Sequence, residues 1–372
     1  MRYYLIAGEA SGDLHASNLM KALQKHDGKA DFRFFGGDLM SKVGGLRVRH
    51  FRDLAYMGIW PVLTHIRVII KRGRECFADI SVWNPDVVIL VDYPGFNLPI
   101  ATLIRKKLSI PVVYYISPKI WAWKSYRIKR IRRDVNELLS ILPFEIEYFK
   151  QRDFLVRYVG NPCLDAVDEF LESSVPRREY GDKPLLTLLP GSRKQEIMRN
   201  LKIMIKAVRE LDEFQVVVAG APGIDGDYYK MILENTGIKV FFDQTYALLE
   251  KSRAAIVTSG TATLETALFR VPQVVCYYMP LGKIVDLLRK SFLKVRYISL
   301  VNLIADRELV PELVGNRMTA SNIRTGLLPL LGDTQVRTEQ LKGYDMIRKK
   351  LGPPGASQNA AKRIIQLIKL KE

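Results

Sequence analysis

Histidine and cysteine are the scarce chemistry of this chain. Its three cysteines, Cys76, Cys163 and Cys276, stand far apart among 372 residues. They form neither a disulfide framework nor a metal knuckle, and a reducing, cytoplasmic setting is expected. The four histidines, His15, His26, His50 and His65, fall at no metal-ligand spacing, so no metal is assigned. No uncharged apolar run approaches the roughly 18 residues needed to cross a bilayer. Behind Met1 comes a β-rich run without the basic and apolar segments of a secretory signal, so none is expected. If a membrane matters, the protein is expected to lie against it. Repeats and low-complexity tracts are missing, and a composition 48% apolar and 26% charged excludes wholesale disorder. Acidic residues are outnumbered, 39 against 57 Lys and Arg, for a formal charge of +18. That excess points to an anionic partner, whether nucleic acid, phosphorylated small molecule or acidic headgroup, without choosing among them.

What the chain does have is a strand-turn-helix signature, twice. The strand Tyr3 to Ala7 runs into Gly8-Glu9-Ala10-Ser11-Gly12-Asp13, and Leu185 to Leu189 runs into Pro190-Gly191-Ser192-Arg193. Turns of this kind free backbone N–H groups at a helix N-terminus, where phosphate and other anions bind. At roughly 150 residues per domain the length fits two domains. The expectation is α/β: two Rossmann-like doubly wound domains facing each other across a cleft, with the ligand at the carboxyl ends of the strands. Further apolar strands are expected at 33–35, 87–91, 111–116, 215–219, 239–242, 254–258 and 274–278, separated by helices, as in parallel sheets covered on both faces. Gly160-Asn161-Pro162 and the polar stretch 172–184 read as the linker. This divides the chain into 1–170 and 171–353. A last helix over about 354–372, behind Gly352-Pro353-Pro354-Gly355, is expected to return toward the first domain.

Four groups of residues carry candidate chemistry. Ser259, Gly260, Thr261 and Ala262 follow a strand and open a helix, so their N–H groups and hydroxyls converge where a diphosphate would sit, with Gly191 and Ser192 as the matching turn. Glu265 lies one turn in, at reach for a ribose diol; the plainer reading makes it a first-turn acid in an ordinarily capped helix. Arg193 adds a cation suited to a departing phosphate, or is simply a surface arginine. Asp92 closes an apolar strand at the edge where α/β enzymes place catalytic groups. It suits a general base, although a turn-closing Asp before Pro94 reads the same. Glu9, Ser11 and Asp13 share that edge and would help align a sugar. Trp60, Val62, Leu63, Ile66, Ile69 and Ile70, with Arg67, Lys71, Arg72 and Arg74, fit a core helix or an interfacial helix that meets acyl chains and lipid phosphates. A second such stretch covers 281–294. The basic run 124–133 behind Trp121-Ala122-Trp123 fits nucleic acid, headgroups, or a helix with a stripe of Ile128 and Ile131. Asp225-Gly226-Asp227 resembles a metal-holding acidic triplet and is read as turn chemistry. The first turn lacks Gly-x-Gly-x-x-Gly, which disfavours an NAD oxidoreductase.

In addition, ordered blocks along nearly the whole length resemble one family: Ala7 to Asp13, Met57-Gly58-Ile59, Asp92 with Phe96-Asn97, Tyr115 to Pro118 with Trp121 to Trp123, Leu142-Pro143-Phe144-Glu145, Leu188 to Arg193, Ser259 to Ala262 with Leu264-Glu265, and Asn302-Leu303 with Arg307 to Val310. The chain is similar to lipid-A-disaccharide synthase, the bacterial glycosyltransferase of family 19. The resemblance implies a GT-B fold and a peripheral place on the cytoplasmic face of the inner membrane. It also implies an inverting, metal-free transfer with no cofactor, joining UDP-2,3-diacylglucosamine to 2,3-diacylglucosamine 1-phosphate as a β-1,6 disaccharide with release of UDP. By position it makes Asp92 the base, Arg193 and Asn302 residues needed for activity, Glu265 the ribose contact, and 59–70 the membrane patch. It implies no nucleic-acid partner, and a homodimer formed by exchange of C-terminal segments. Where the family often has Asp-Ala-Pro-Asp, this chain has Asp92-Tyr93-Pro94-Gly95, without the second carboxylate. The alternatives left open are another GT-B enzyme acting on UDP-N-acetylglucosamine, as transferase or epimerase, and a basic RNA-binding protein.

Overall fold

The structure, a computed structural model of the chain, describes residues 1–53, 66–121, 125–174, 179–278 and 296–370. They divide into two compact units, one of Met1–Pro162 with Pro353–Glu372 and one of Cys163–Gly352. Each has its own parallel sheet.

In the first unit the strands are β1 (Arg2–Ala7), β2 (Asp31–Gly36), β3 (Leu46–His50), β4 (Val87–Val91), β5 (Val112–Tyr115), β6 (Glu137–Ser140) and β7 (Arg157–Tyr158), ordered β3-β2-β1-β4-β5-β6-β7. Every neighbouring pair is parallel. β1 and β4 are buried along nearly their whole length, which is why they read as unbroken apolar runs. Alternate residues go to opposite faces: Tyr3, Leu5 and Ala7 join one core cluster, and Tyr4 and Ile6 join the other. The chain order reverses between β1 and β4. The loops after those two strands therefore meet at the switch point, where doubly wound sheets hold their ligands.

The second unit repeats the plan with β8 (Leu185–Leu189), β9 (Gln215–Gly220), β10 (Lys239–Phe242), β11 (Ser252–Thr258), β12 (Gln273–Tyr277) and β13 (Glu312–Val314), ordered β10-β9-β8-β11-β12-β13. Its switch point falls between β8 and β11, so the turns after Leu189 and Thr258 are neighbours.

Two expectations about domain limits are settled. The C-terminal helix Ala356–Lys369 does return to the first unit, burying Ala360, Ala361, Ile364 and Ile368 in the core that also holds Ala16, Leu19 and Leu23 of the helix Ala10–His26. The boundary itself lies earlier than residue 170. From Cys163 onward the helix Pro162–Glu172 belongs to the second unit, its Phe170 stacking edge-on against Tyr246 and Phe269 and its Asp168 pairing with Arg348. Pro162 reads as a breaker but occupies the first helical position, where a missing N–H costs nothing.

Candidate functional site

At the switch point of the first sheet, Asp92 follows β4 with a left-handed backbone, φ +44°, and Tyr93 follows with φ +45°. Two consecutive non-glycine residues in this region are strained. The conformation is held by its own carbonyl: the Asp92 oxygen accepts Asn97 Nδ2 at 2.7 Å and the Tyr114 hydroxyl. The same amide group donates to Val91 O at 3.2 Å, so Asn97, fully buried in the first turn of the helix Pro94–Lys107, staples the end of β4. The backbone on which the Asp92 carboxylate is mounted is thereby fixed. Burial, and then the neighbouring Glu9 charge, push its pKa up to about 6, while Lys119 and the Tyr93 N–H pull the other way. A carboxylate so poised is ionised at neutral pH yet basic enough to take a proton.

The turn after β1 is shaped to match. A Cβ on Gly8 would come 2.1 Å from the Tyr93 ring, so only glycine lets the two loops pack. Glu9 precedes the helix Ala10–His26 and accepts the Ser11 hydroxyl at 2.9 Å. Asp13 departs from expectation. It is buried, and its two oxygens accept the N–H groups of Gly37, Leu39 and Met40, capping the helix Asp38–Val43 instead of facing a sugar.

In the second unit a pocket of about 430 Å³ is lined by Gly191, Ser192, Glu196, Ser259, Gly260, Thr261, Ala262 and Glu265. The two turns are tied from beneath by Asn200, whose Nδ2 donates to Pro190 O at 3.0 Å and to the Thr258 hydroxyl at 2.9 Å. Gly191 has φ +115°, and a Cβ there would meet Glu196. The helix Thr261–Leu268 opens at the pocket, and among the described residues no side chain caps its first N–H groups. Glu265 receives the Tyr246 hydroxyl at 2.7 Å, and burial pushes its pKa up. Sequence reasoning missed Ala219–Pro222, Thr245 and Tyr246, which complete the pocket wall. They come from the ends of β9 and the segment after β10, where no charged motif marks them.

A GT-B-like pair of parallel-sheet domains with this pocket has known relatives. The family model described as lipid-A-disaccharide synthetase matches residues 3–366. A lipid-A-disaccharide synthase of Myxococcus xanthus is 37% identical over 99% of this chain and 97% of its own. The chain belongs to the lipid-A-disaccharide synthase family. Solved structures agree at the level of fold: the S. aureus MnaA–UDP structure (TM-score 0.67, 14% identity, covering 100% of this chain and 96% of that one) and the calicheamicin glycosyltransferase CalG4 (0.61, 14%, 100% and 99%). The protein is thus a glycosyltransferase of lipid A biosynthesis, with UDP-sugar and sugar-phosphate substrates. Neither the UDP-N-acetylglucosamine alternative nor the RNA-binding one is favoured.

Against this family background, the other expected residues sort as follows. Arg193 sits immediately before the helix Lys194–Val208, exposed, with Nη1 2.9 Å from Glu196 Oε1, a pocket residue. Asn302 is not at a surface. It is fully buried, giving Nδ2 to Val310 O and Glu312 Oε1 and accepting the N–H groups of Leu309 and Val310, at 2.8 to 2.9 Å. Expected as a residue needed for activity, Asn302 is the hub of the 299–312 loop. Of the acyl candidates, Trp60, Val62 and Leu63 and the side chain of Ile66 lie outside the described residues, as does the stretch 281–294. Ile69 is partly buried against the first-unit core, as the core-helix alternative has it, whereas Ile70 is exposed on the same helix, Ile66–Trp83. Ile131 is fully buried and Ile128 packs beside it, so 128–134 is the amphipathic helix read as one alternative. Asp225 caps the helix Gly226–Leu233 and Asp227 pairs with Lys230, as turn chemistry requires.

Proposed function

We propose that the protein transfers 2,3-diacylglucosamine from UDP to the 6-hydroxyl of 2,3-diacylglucosamine 1-phosphate, giving an inverted, β-1,6-linked disaccharide and UDP. The observation that carries this reading is Asp92, a carboxylate on a clamped left-handed backbone at a sheet switch point with a pKa of about 6. In the proposed step Asp92 accepts the acceptor's hydroxyl proton as that oxygen bonds the donor's anomeric carbon. The carbon's bond to the UDP oxygen breaks, and its electron pair leaves on the β-phosphate. Backbone N–H groups of 260–262 and the Arg193 guanidinium would meet that charge, Arg193 exchanging Glu196 for phosphate. Glu265, oriented by Tyr246, would hold the ribose. Glu9 and Ser11 would border the acceptor sugar. Charge stabilisation is supplied by protein groups alone, with no resident metal or cofactor.

The acceptor's acyl chains would engage the exposed side of the helix Ile66–Trp83, where Ile70 lies beside Arg67 and Lys71, from the cytoplasmic face of the inner membrane. Among the described residues no helix is long and apolar enough to cross a membrane. Dimerisation would exchange the helix Ala356–Lys369 between copies, pivoting at Gly352 and Gly355, whose φ values are +75° and +116°. The test is to incubate both lipid substrates with protein, with and without EDTA, and to establish the linkage by NMR. A β-1,6 disaccharide formed equally in both supports the proposal. No product, an α linkage or chelator-dependent turnover overturns it.

A further inference from the structure

One acid in the first unit is used by none of these steps. Glu145 is 1% exposed, a costly place for a carboxylate with no arginine paired to it among the described residues. Its Oε1 accepts the Trp121 indole N–H at 2.8 Å and its Oε2 accepts the Ser140 hydroxyl at the end of β6. Phe144, one residue earlier, meets the same indole edge-on, with ring centroids 5.1 Å apart at 82°. The bracketed indole belongs to the segment Ser117–Trp121 that follows β5. That segment leaves β5 through Ile116, whose φ of +68° is an outlier for a β-branched residue and whose N–H donates to Leu139 O at 3.0 Å. Between Ile116 and Trp121 stands Lys119, exposed, its charge acting on both Asp92 and Glu145.

We propose that Glu145 is a positioning residue for the transfer: by anchoring the Trp121 indole it holds the Ser117–Trp121 segment, which leaves β5 next to Asp92, whose N–H donates to Tyr115 O at 3.1 Å, and with that segment it holds Lys119. This rests on Asp92 being the base. The groups that act on Asp92 are Glu9 from the turn after β1, Tyr93 on its own loop, Tyr114 from β5 and Lys119. Arg127 reaches this set through Tyr114. Glu9 opposes ionisation of Asp92 and Lys119 favours it. Releasing the segment removes the favourable charge and leaves the unfavourable one. Burial also pushes the Glu145 pKa up to about 7. At neutral pH the site therefore tolerates the uncharged form, and an amide should replace the acid there.

The experiment is the pH profile of kcat with both lipid substrates saturating, for Glu145→Ala, Glu145→Gln, Trp121→Phe, Lys119→Met and Asp92→Asn. Glu145→Ala and Trp121→Phe are expected to lower kcat about tenfold or more through misplacement. In both, and in Lys119→Met, the acid limb should move up by about one pH unit, the low end of what a nearby opposite charge contributes. Glu145→Gln, which keeps an oxygen for the indole and an NH₂ for Ser140, should restore most of kcat and leave the limb in place. Trp121→Phe, which retains the ring, decides the matter if Glu145→Ala does not fold. A folded Glu145→Ala or Trp121→Phe protein with an unmoved limb overturns the inference, as does a Gln variant as impaired as the Ala one. Full activity of Asp92→Asn would overturn the base assignment, a failure distinguishable from the first.

Discussion

At the scale of single residues, the site is assembled from conformations that only a few side chains tolerate. Asp92 is the clearest case. Its folded-state pKa, about 6, is raised above the ordinary aspartate value of 3.8 chiefly by burial. Below pH 3.8 the group is protonated in both folded and unfolded chains and costs nothing. As pH rises through 6 the folded protein must carry a partly buried charge, so the stability loss is complete above that pH. Asp92→Asn is therefore expected to raise stability at pH 7 by on the order of 1–2 kcal/mol, since asparagine is also at ease with positive φ. It should lower kcat about 100-fold or more by removing the base. Wild-type kcat should fall on the acid side with a midpoint near 6. Denaturant melts at pH 3.5 and 7 beside the kinetic profile check both halves; a less stable Asn variant refutes the burial argument. Tyr93 gives a second residue-scale expectation. Its ring occupies the space where a Gly8 Cβ would go, so Gly8→Ala should cost about 1–3 kcal/mol by overpacking. In Gly8→Ala combined with Tyr93→Ala most of that cost should disappear, which a double-mutant cycle of thermal melts would measure.

At the scale of elements, loops are held by buried polar hubs, and these decide what the sequence could and could not show. Asn302 satisfies four partners in the 299–312 loop, and Glu312 adds the Ser299 and Ile298 N–H groups to the same network. Asn302→Ala leaves two backbone N–H groups and the Val310 carbonyl buried without it. A loss of about 3 kcal/mol or more is expected, above that of a typical single hydrogen bond. The variant should lose activity in parallel with its melting transition, and retained activity at full stability would show that Asn302 has no such hub role. The strands at β1, β4, β8 and β11 were legible because they are apolar on both faces, and their turns because Gly8, Gly191 and Gly260 punctuate them. By contrast β3 (LRVRH), β6 (ELLS) and β7 (RY), toward or at the sheet edge, were not, because exposed or short strands carry no apolar run. In the same way, Glu265 and Gly191 were identifiable from the sequence around the pocket. Asp13 was misread because a cap for a distant helix, at Gly37 to Met40, leaves no local signal. Tyr246 was missed because its link to Glu265 exists only in the fold.

At the scale of the whole molecule, the two units are unequal in how the chain builds them. The second is one continuous stretch, Cys163–Gly352, with its own sheet and core, and every residue lining the 189–265 pocket belongs to it. The first is split, its opening 162 residues closed by the last twenty through the helix Ala356–Lys369. That helix buries an apolar stripe against Ala10–His26 and fixes Arg363 on both oxygens of Glu137, at 2.8 and 2.7 Å. Its Asn359 donates to Val159 O at 3.1 Å. Expressed alone, residues 163–352 should fold cooperatively and bind UDP, since no donor contact proposed here lies outside them. Residues 1–162 alone should expose the apolar face of Ala10–His26 and aggregate. A peptide of 353–372, marginal as a free helix at this length, should restore a cooperative melt when added in excess, with an apparent stability that rises with peptide concentration. Calorimetric titration with UDP and thermal melts of the fragments check each part. If the 163–352 fragment is folded but does not bind UDP, the pocket between the 190–193 and 259–263 turns is insufficient for the nucleotide, and the assignment of Gly191, Ser192 and Glu265 to it falls.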